Sequence, residues 1–167
     1  MISFRLFLFP ALAALSACVG TTIEQPPIEY QTSKALQARS STAFTMRTHT
    51  RETGVRKEIT GVPCEFTGQG FKSNFTTPAI VKAPELGGRT QVASVSCVYN
   101  GETKHVVLEP YNKTLADINA SSNSSAAASG LVGAFIGSIS AGIQKSRRDP
   151  SEDVYAYRDS SVVFADQ

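Results

Sequence analysis

The sequence predicts a mainly β protein: a small antiparallel β-sandwich followed by one helix rich in small residues. Three observations predict it. Between Gly61 and Gly101, short β-prone runs are separated by Gly, Pro and Asn at turn positions, the spacing of an all-β sandwich or partly open barrel. Within that block the run Gln91–Tyr99 ends at Asn100-Gly101, a pair that tolerates positive φ at both positions and marks a two-residue hairpin turn. Beyond it, Ala126–Ile143 runs for eighteen residues without a charge and places a small side chain at every fourth position. With 167 residues, nine Phe, five Tyr and no Trp, the chain has room for one modest domain with flanking segments, and its core is small.

Taken in order, residues 1–17 read as a signal peptide. Arg5 precedes an apolar run from Leu6 to Leu15 that is too short to span a bilayer as a mature helix. The run ends in Leu15-Ser16-Ala17-Cys18, which resembles a bacterial lipobox: an aliphatic residue, two small residues that fit a narrow peptidase site, and a cysteine diacylated before cleavage. The resemblance implies that Cys18 is the lipidation site. Attachment would then be permanent, because each buried CH₂ of the acyl chains adds about 0.8 kcal/mol. The alternative is an ordinary secretory signal cut near the same place, leaving Cys18 free. Val19, rather than Asp, follows the cysteine. By resemblance to enterobacterial lipoprotein sorting, that implies the outer membrane, with the chain facing the periplasm.

With Cys18 assigned to lipid, Cys64 and Cys97 remain as a pair, and an oxidising periplasm makes a disulfide their expected state. The expected fold is therefore a sandwich stapled by one disulfide. Closing a loop of about 34 residues is worth about 4 kcal/mol on chain-entropy grounds. That is a large share of a stability on the order of 5–15 kcal/mol. The alternatives are a metal pair, which lacks a third and fourth ligand, and a redox couple, which lacks Cys-x-x-Cys spacing.

Residues 18–42 carry the lipidated cysteine and a polar stretch with Pro26-Pro27, expected to form an extended spacer. Within it, Ser33–Arg39 has weak helical character. The β-domain is expected over 43–110. Alternation in Ala43–Thr48 puts Phe44 and Met46 on one face, and Glu52-Thr53-Gly54 turns the chain into Val55–Ile59, a first hairpin. Further strands are expected at Val62–Thr67, Phe71–Thr76, Ala79–Lys82 (stopped by Pro84 and Gly87-Gly88), Gln91–Tyr99 and Lys104–Leu108. In Gln91–Tyr99, Ala93, Val95, Cys97 and Tyr99 share the core face. Cys64 joins Phe66 there if Val62 also points inward.

Several of these residues carry a resemblance. Gly61-x-x-Cys64, Gly70, Phe75-Thr76-Thr77-Pro78-Ala79, Val81, and Val95-Ser96-Cys97 followed by Gly101 resemble small Gram-negative envelope lipoproteins of uncharacterised function with a PEGA-like β-domain. The similarity covers about 45 residues. It implies a compact disulfide-closed β-sandwich and supplies no catalytic residue. The longer Ala83–Arg89 connection departs from that pattern.

Residues 111–125 are polar and rich in Asn and Ser, a linker by composition. A helix is expected over 126–148. Ser129, Gly133, Gly137 and Ala141 line one side of it, a small-xxx-small ridge that lets another helix or a membrane neighbour approach closely. The segment either packs on protein, inserts into or lies on the membrane, its length just reaching the lower bound for a span, or acts as a mobile tether. Lys145, Arg147 and Arg148 suit the negative end of a helix dipole. The tail over 149–167 is β-prone and is expected to add an edge strand.

The formal net charge of +2 moves closer to balance when Arg5 leaves with the leader. That excludes nucleic acid as a partner class, since phosphate binding needs a clustered basic surface. No Gly-rich phosphate loop precedes a helix and no Gly-x-Ser-x-Gly elbow supports a hydrolase. His49 and His105 are isolated from each other and read as surface or packing residues. The expectation is a non-enzymatic chain with no cofactor and no metal. Its partners are the membrane, through lipid, and either an envelope protein or a second copy. The competing expectation is a lipoprotein that inserts or oligomerises through 126–143.

Overall fold

The computed structural model describes residues 20–32, 36–52, 54–121 and 142–165. In that range the strands are β1 Gln31–Thr32, β2 Ser40–Glu52, β3 Val55–Ile59, β4 Val62–Gly68, β5 Phe71–Thr77, β6 Ala79–Glu85, β7 Ala93–Tyr99, β8 Glu102–Leu108, β9 Tyr111–Asn112, β10 Tyr155–Ala156 and β11 Ser160–Ala165. One sheet has the antiparallel order β1-β5-β4-β7-β8. The other is built on β2, whose first half pairs with β6 and second half with β3, while β11 runs along Met46–Arg51. Met46 pairs with both Ala79 of β6 and Ser160 of β11. β6 and β3 therefore share one edge of β2, and β11 takes the other. The β11–β2 pairing is parallel, because the chain re-enters this sheet after the long 109–159 connection instead of through a hairpin.

Alternation explains the strands and the sandwich together. β4 buries Val62, Cys64 and Phe66, and β5 buries Phe71, Ser73, Phe75 and Thr77, with exposed residues between. β7 turns Ala93, Val95 and Cys97 inward and leaves Val98 exposed, the face its pattern predicts. From β2, Phe44 and Met46 meet them. The centre is aromatic: Phe44 stands edge-on to Phe66 at 5.0 Å and 70°, and Tyr157, just before β11, lies 5.7 Å and 81° from Phe66. Such T-shaped pairs add about 0.5–1.5 kcal/mol to their burial. The Tyr157 hydroxyl donates to the Gln91 carbonyl at 2.6 Å, and burial pushes its pKa up to about 12. At the β7–β8 turn, Asn100 and Gly101 have φ of 49° and 80°, as the Asn-Gly pair predicts. Between the sheets the chain crosses at Thr60-Gly61 and at the cis Thr77-Pro78 bond.

Cys64 and Cys97 are disulfide-bonded and stand directly opposite each other in the β4–β7 ladder, with Cα atoms 4.1 Å apart. The staple therefore lies within one sheet, between two interior strands.

Four expectations are corrected. The stretch 20–32 is no free spacer: it lies along the β5/β6 edge, with Ile28 bridging Val81 and β1 pairing with β5. Ile28 and Tyr30 pack on the core, so apolar side chains spaced two apart gave this polar stretch a place to dock. β6 does not stop before Pro84 but runs to Glu85, with Pro84 opposite Ser41; a proline is tolerated where only one flank of a strand is paired. Residues 111–121 are no linker: they form β9 and then helix over 113–121. Asn112 starts that helix by accepting the Leu115 N–H at 2.9 Å, and Lys113 pairs with Asp117 one turn on at 2.5 Å. Helix is also present over 142–147. Ser33–Arg39, read as weakly helical, has no helix over 36–39.

Candidate functional site

The polar chemistry of the molecule gathers at two poles of β2. At the start of β2, Arg39 grips Glu85 with two hydrogen bonds, Nε to Oε2 at 2.9 Å and Nη2 to Oε1 at 3.0 Å. Glu85 is 1% exposed. It also accepts the N–H groups of Gly87 at 2.7 Å and Tyr155 at 3.2 Å. Burial pushes its carboxyl up, but the bonds from Arg39, Tyr155 and Gly87 outweigh this and hold it below its ordinary value. Gly87, at φ 61°, is the residue that lets the backbone turn this closely: a Cβ there would lie 2.7 Å from Arg39 Nη2. Arg39 reaches further, to the carbonyls of Ser151 at 2.6 Å and Asp153 at 2.7 Å.

Asp153 is the second node. Its carboxylate accepts Arg148 Nε at 3.0 Å and Asn112 Nδ2 at 2.6 Å. Lys113 N–H donates to the Val154 carbonyl at 2.8 Å, and Val154 N–H to Thr114 Oγ1 at 3.0 Å. The β9–β10 pairing joins Asn112 to Tyr155. One carboxylate thus ties the residue where the chain leaves the sandwich to the residue where it returns. The excursion 113–147 departs and comes back at one stem.

Toward the other end of β2 lies the N-terminal strap. Thr21 N–H donates to Glu58 Oε2 at 2.7 Å, Gln25 Nε2 to the Pro78 carbonyl at 2.7 Å, and Ile28 N–H to the Ile80 carbonyl at 2.8 Å. Arg47 holds the other Glu58 oxygen. Burial raises the Glu58 carboxyl, and the Thr21 N–H and Arg47 more than offset it, leaving it lowered. Glu58 is the register partner of His49, while the stem packs beside Ser40–Ala43. Six to nine residues of strand separate these levels, about 20–30 Å at 3.3 Å per residue.

On the outer face of the five-stranded sheet, Pro63, Glu65, Asn74, Thr76, Ser96 and Val98 line a groove of about 640 Å³. Its ionisable lining is Glu65 alone, since Cys64 is in the disulfide. His49 and His105 lie in different sheets, opposite Glu58 and Ser96. Among the described residues no three His, Cys, Asp or Glu come together to hold a metal ion, and no helix is long and apolar enough to cross a membrane.

Of the residues singled out in the sequence, the structure brings Cys64 and Cys97 together. Cys18, Ser129, Gly133, Gly137 and Ala141 lie outside the described residues. The stem nodes Arg39, Glu85, Asn112, Arg148 and Asp153 were not foreseen. Asn112 carried a usable signal, a capping residue three positions before Leu115; the others signal only through tertiary contact. Comparison with protein-family models, curated proteins and solved structures finds no match for the chain.

Proposed function

We propose that this chain is a lipid-anchored envelope lipoprotein, a non-enzymatic structural or binding module on the periplasmic face of the outer membrane, with Cys18 carrying the lipid. The leader supplies the anchor in this reading, and the disulfide suits an oxidising compartment. The observation that carries the proposal further is the docked strap. Thr21 is fixed to Glu58, and three residues span at most about 10 Å, so a lipid on Cys18 holds the body against the bilayer instead of on a long tether. The outer groove, with one ionisable side chain among Ser, Thr, Asn and apolar residues, favours binding over acid–base chemistry.

A second reading has the 126–143 segment inserting into the membrane or oligomerising, favoured by its eighteen uncharged residues and small-residue ridge. The stem sits at the level of β2 farther from Thr21, the residue nearest the anchor, which favours an envelope protein or a second copy as its neighbour over the anchoring bilayer. The test is membrane fractionation with a carbonate wash of a chain whose leader is cleaved by ordinary signal peptidase and which carries Cys18→Ser. The proposal expects the variant in the wash and the native chain in the membrane. A variant that resists the wash hands the function to the second reading.

A further inference from the structure

The β2–β3 hairpin leaves the sandwich before it turns. Thr50 is the last buried residue of β2, and Val55, Arg56 and Lys57 are all exposed, on both faces of the ribbon. Beyond Thr50 the hairpin has no second sheet over it. Its side chains are unusual for a solvated tip. Val55 is 67% exposed, and Arg51 stands directly opposite Arg56 in the ladder, with Lys57 opposite Thr50 on the other face. Like charges placed opposite each other destabilise a strand pair. Among the described residues no carboxylate pairs with Arg51, Arg56 or Lys57. Glu52 is the register partner of Val55, so the tip carries one carboxylate against the three cations Arg51, Arg56 and Lys57. A valine with that cationic excess behind it has the form of an element that meets an anionic interface, apolar end first.

The strap puts that element at the right place. Thr21 is level with His49 through Glu58, and three residues separate His49 from Glu52 at the end of β2. The same three-residue reach separates Thr21 from Cys18. We propose that the β2–β3 tip is a second membrane contact, in which Arg51, Arg56 and Lys57 bind anionic phospholipid headgroups while Val55 enters the interface, fixing the orientation of the body on its anchor. The proposal rests on the lipid-anchor reading for its geometry, yet the tip carries its own charge and can be tested separately.

The chain contains no Trp, so Val55→Trp in the full mature protein gives a single emitter at the tip. The protein is mixed with vesicles of phosphatidylcholine, or of phosphatidylcholine with about a third phosphatidylglycerol, each carrying a headgroup nitroxide quencher, and co-sedimentation is read on the same samples. The expected result is sedimentation with both vesicles but strong quenching only with the anionic ones. Combining Arg51→Glu, Arg56→Glu and Lys57→Glu then removes the quenching. Each cation near an anionic surface is worth about fivefold in contact. Far-ultraviolet circular dichroism confirms that the triple variant is folded. Sedimentation with both vesicles and no quenching on either overturns the tip and leaves the anchor standing. Equal quenching on both overturns the role of the cations. Sedimentation with anionic vesicles alone, reversed by salt, supports the tip and overturns the anchor. No sedimentation with either overturns both.

Discussion

Arg39 and Glu85 form a two-pronged ion pair, 2.9 and 3.0 Å, whose carboxylate is buried at the point where β2 begins, β6 ends and the C-terminal segment returns. The pair couples those three pieces of chain. Removing the cation strands a buried carboxylate, which is strongly destabilising, whereas replacing both partners with apolar residues of similar volume is often neutral. Arg39→Met is therefore expected to lower the Tm by on the order of 10 °C. The double variant Arg39→Met/Glu85→Leu should recover part of that loss, the remainder being the Gly87 and Tyr155 N–H groups left without their acceptor. Thermal melts of the two singles and the double form a cycle, and additive losses would mean that the pair is not coupled.

The same network sets an acid limit. Glu85 has a folded-state pKa lowered from its ordinary 4.5. Asp153 is lowered from 3.8, first by the hydrogen bond from Arg148 and then by that from Asn112. A carboxyl whose folded pKa is depressed stabilises the fold fully above its unfolded value, and that contribution disappears as pH falls through the folded value. The Tm should be level from pH 7 to about 5 and fall below about pH 4. Glu85→Gln should start lower at pH 7 and decline less steeply. An equally steep decline in the variant would place the acid sensitivity elsewhere.

The strands of the central block were legible because each has a clear period of two and turn chemistry at its ends, as in Phe71–Thr77 and at Asn100-Gly101. The staple was legible from a count of cysteines. The strap was not, because Ile28 and Tyr30 sit in a polar, proline-containing stretch whose backbone partners, Ile80 and Lys82, are about fifty residues away. Glu85 was hidden for the same reason. A glutamate at the end of an apolar run looks solvated until Arg39, Gly87 and Tyr155 converge on it. β11 is the edge strand its composition suggests; its parallel course beside β2 was hidden, because it follows from the stem, which returns the chain to the start of β2 before Ser160. Composition read 111–121 as linker because Asn and Ser are poor in helix interiors; Asn112 starts the helix from outside it.

Loss of the disulfide should be felt strongly, since Cys64 and Cys97 join two interior strands of one sheet. Cys64→Ala/Cys97→Ala is expected to lose up to about 4 kcal/mol of stability. Chemical denaturation of the non-reduced native protein beside the variant measures it, and coincident midpoints would show that the bridge does not contribute.

Asn112 caps the outgoing helix and holds Asp153 as well. Asn112→Ala is expected to cost about 1 kcal/mol through the cap alone. It should also loosen the stem, so that trypsin cuts faster at Lys113, Lys145, Arg147 or Arg148 while the strands 40–108 stay intact. Unchanged cleavage rates would show that the stem is held by the β9–β10 pairing without it.

The strap-and-anchor account depends most on the chemical state of Cys18. Intact-mass and N-terminal peptide mass spectrometry of the protein purified from membranes reads it directly. The account predicts a mature chain that begins at Cys18 and carries the added mass of a diacylglyceryl group. A chain that begins elsewhere, or a Cys18 that reacts as a free thiol, would contradict it.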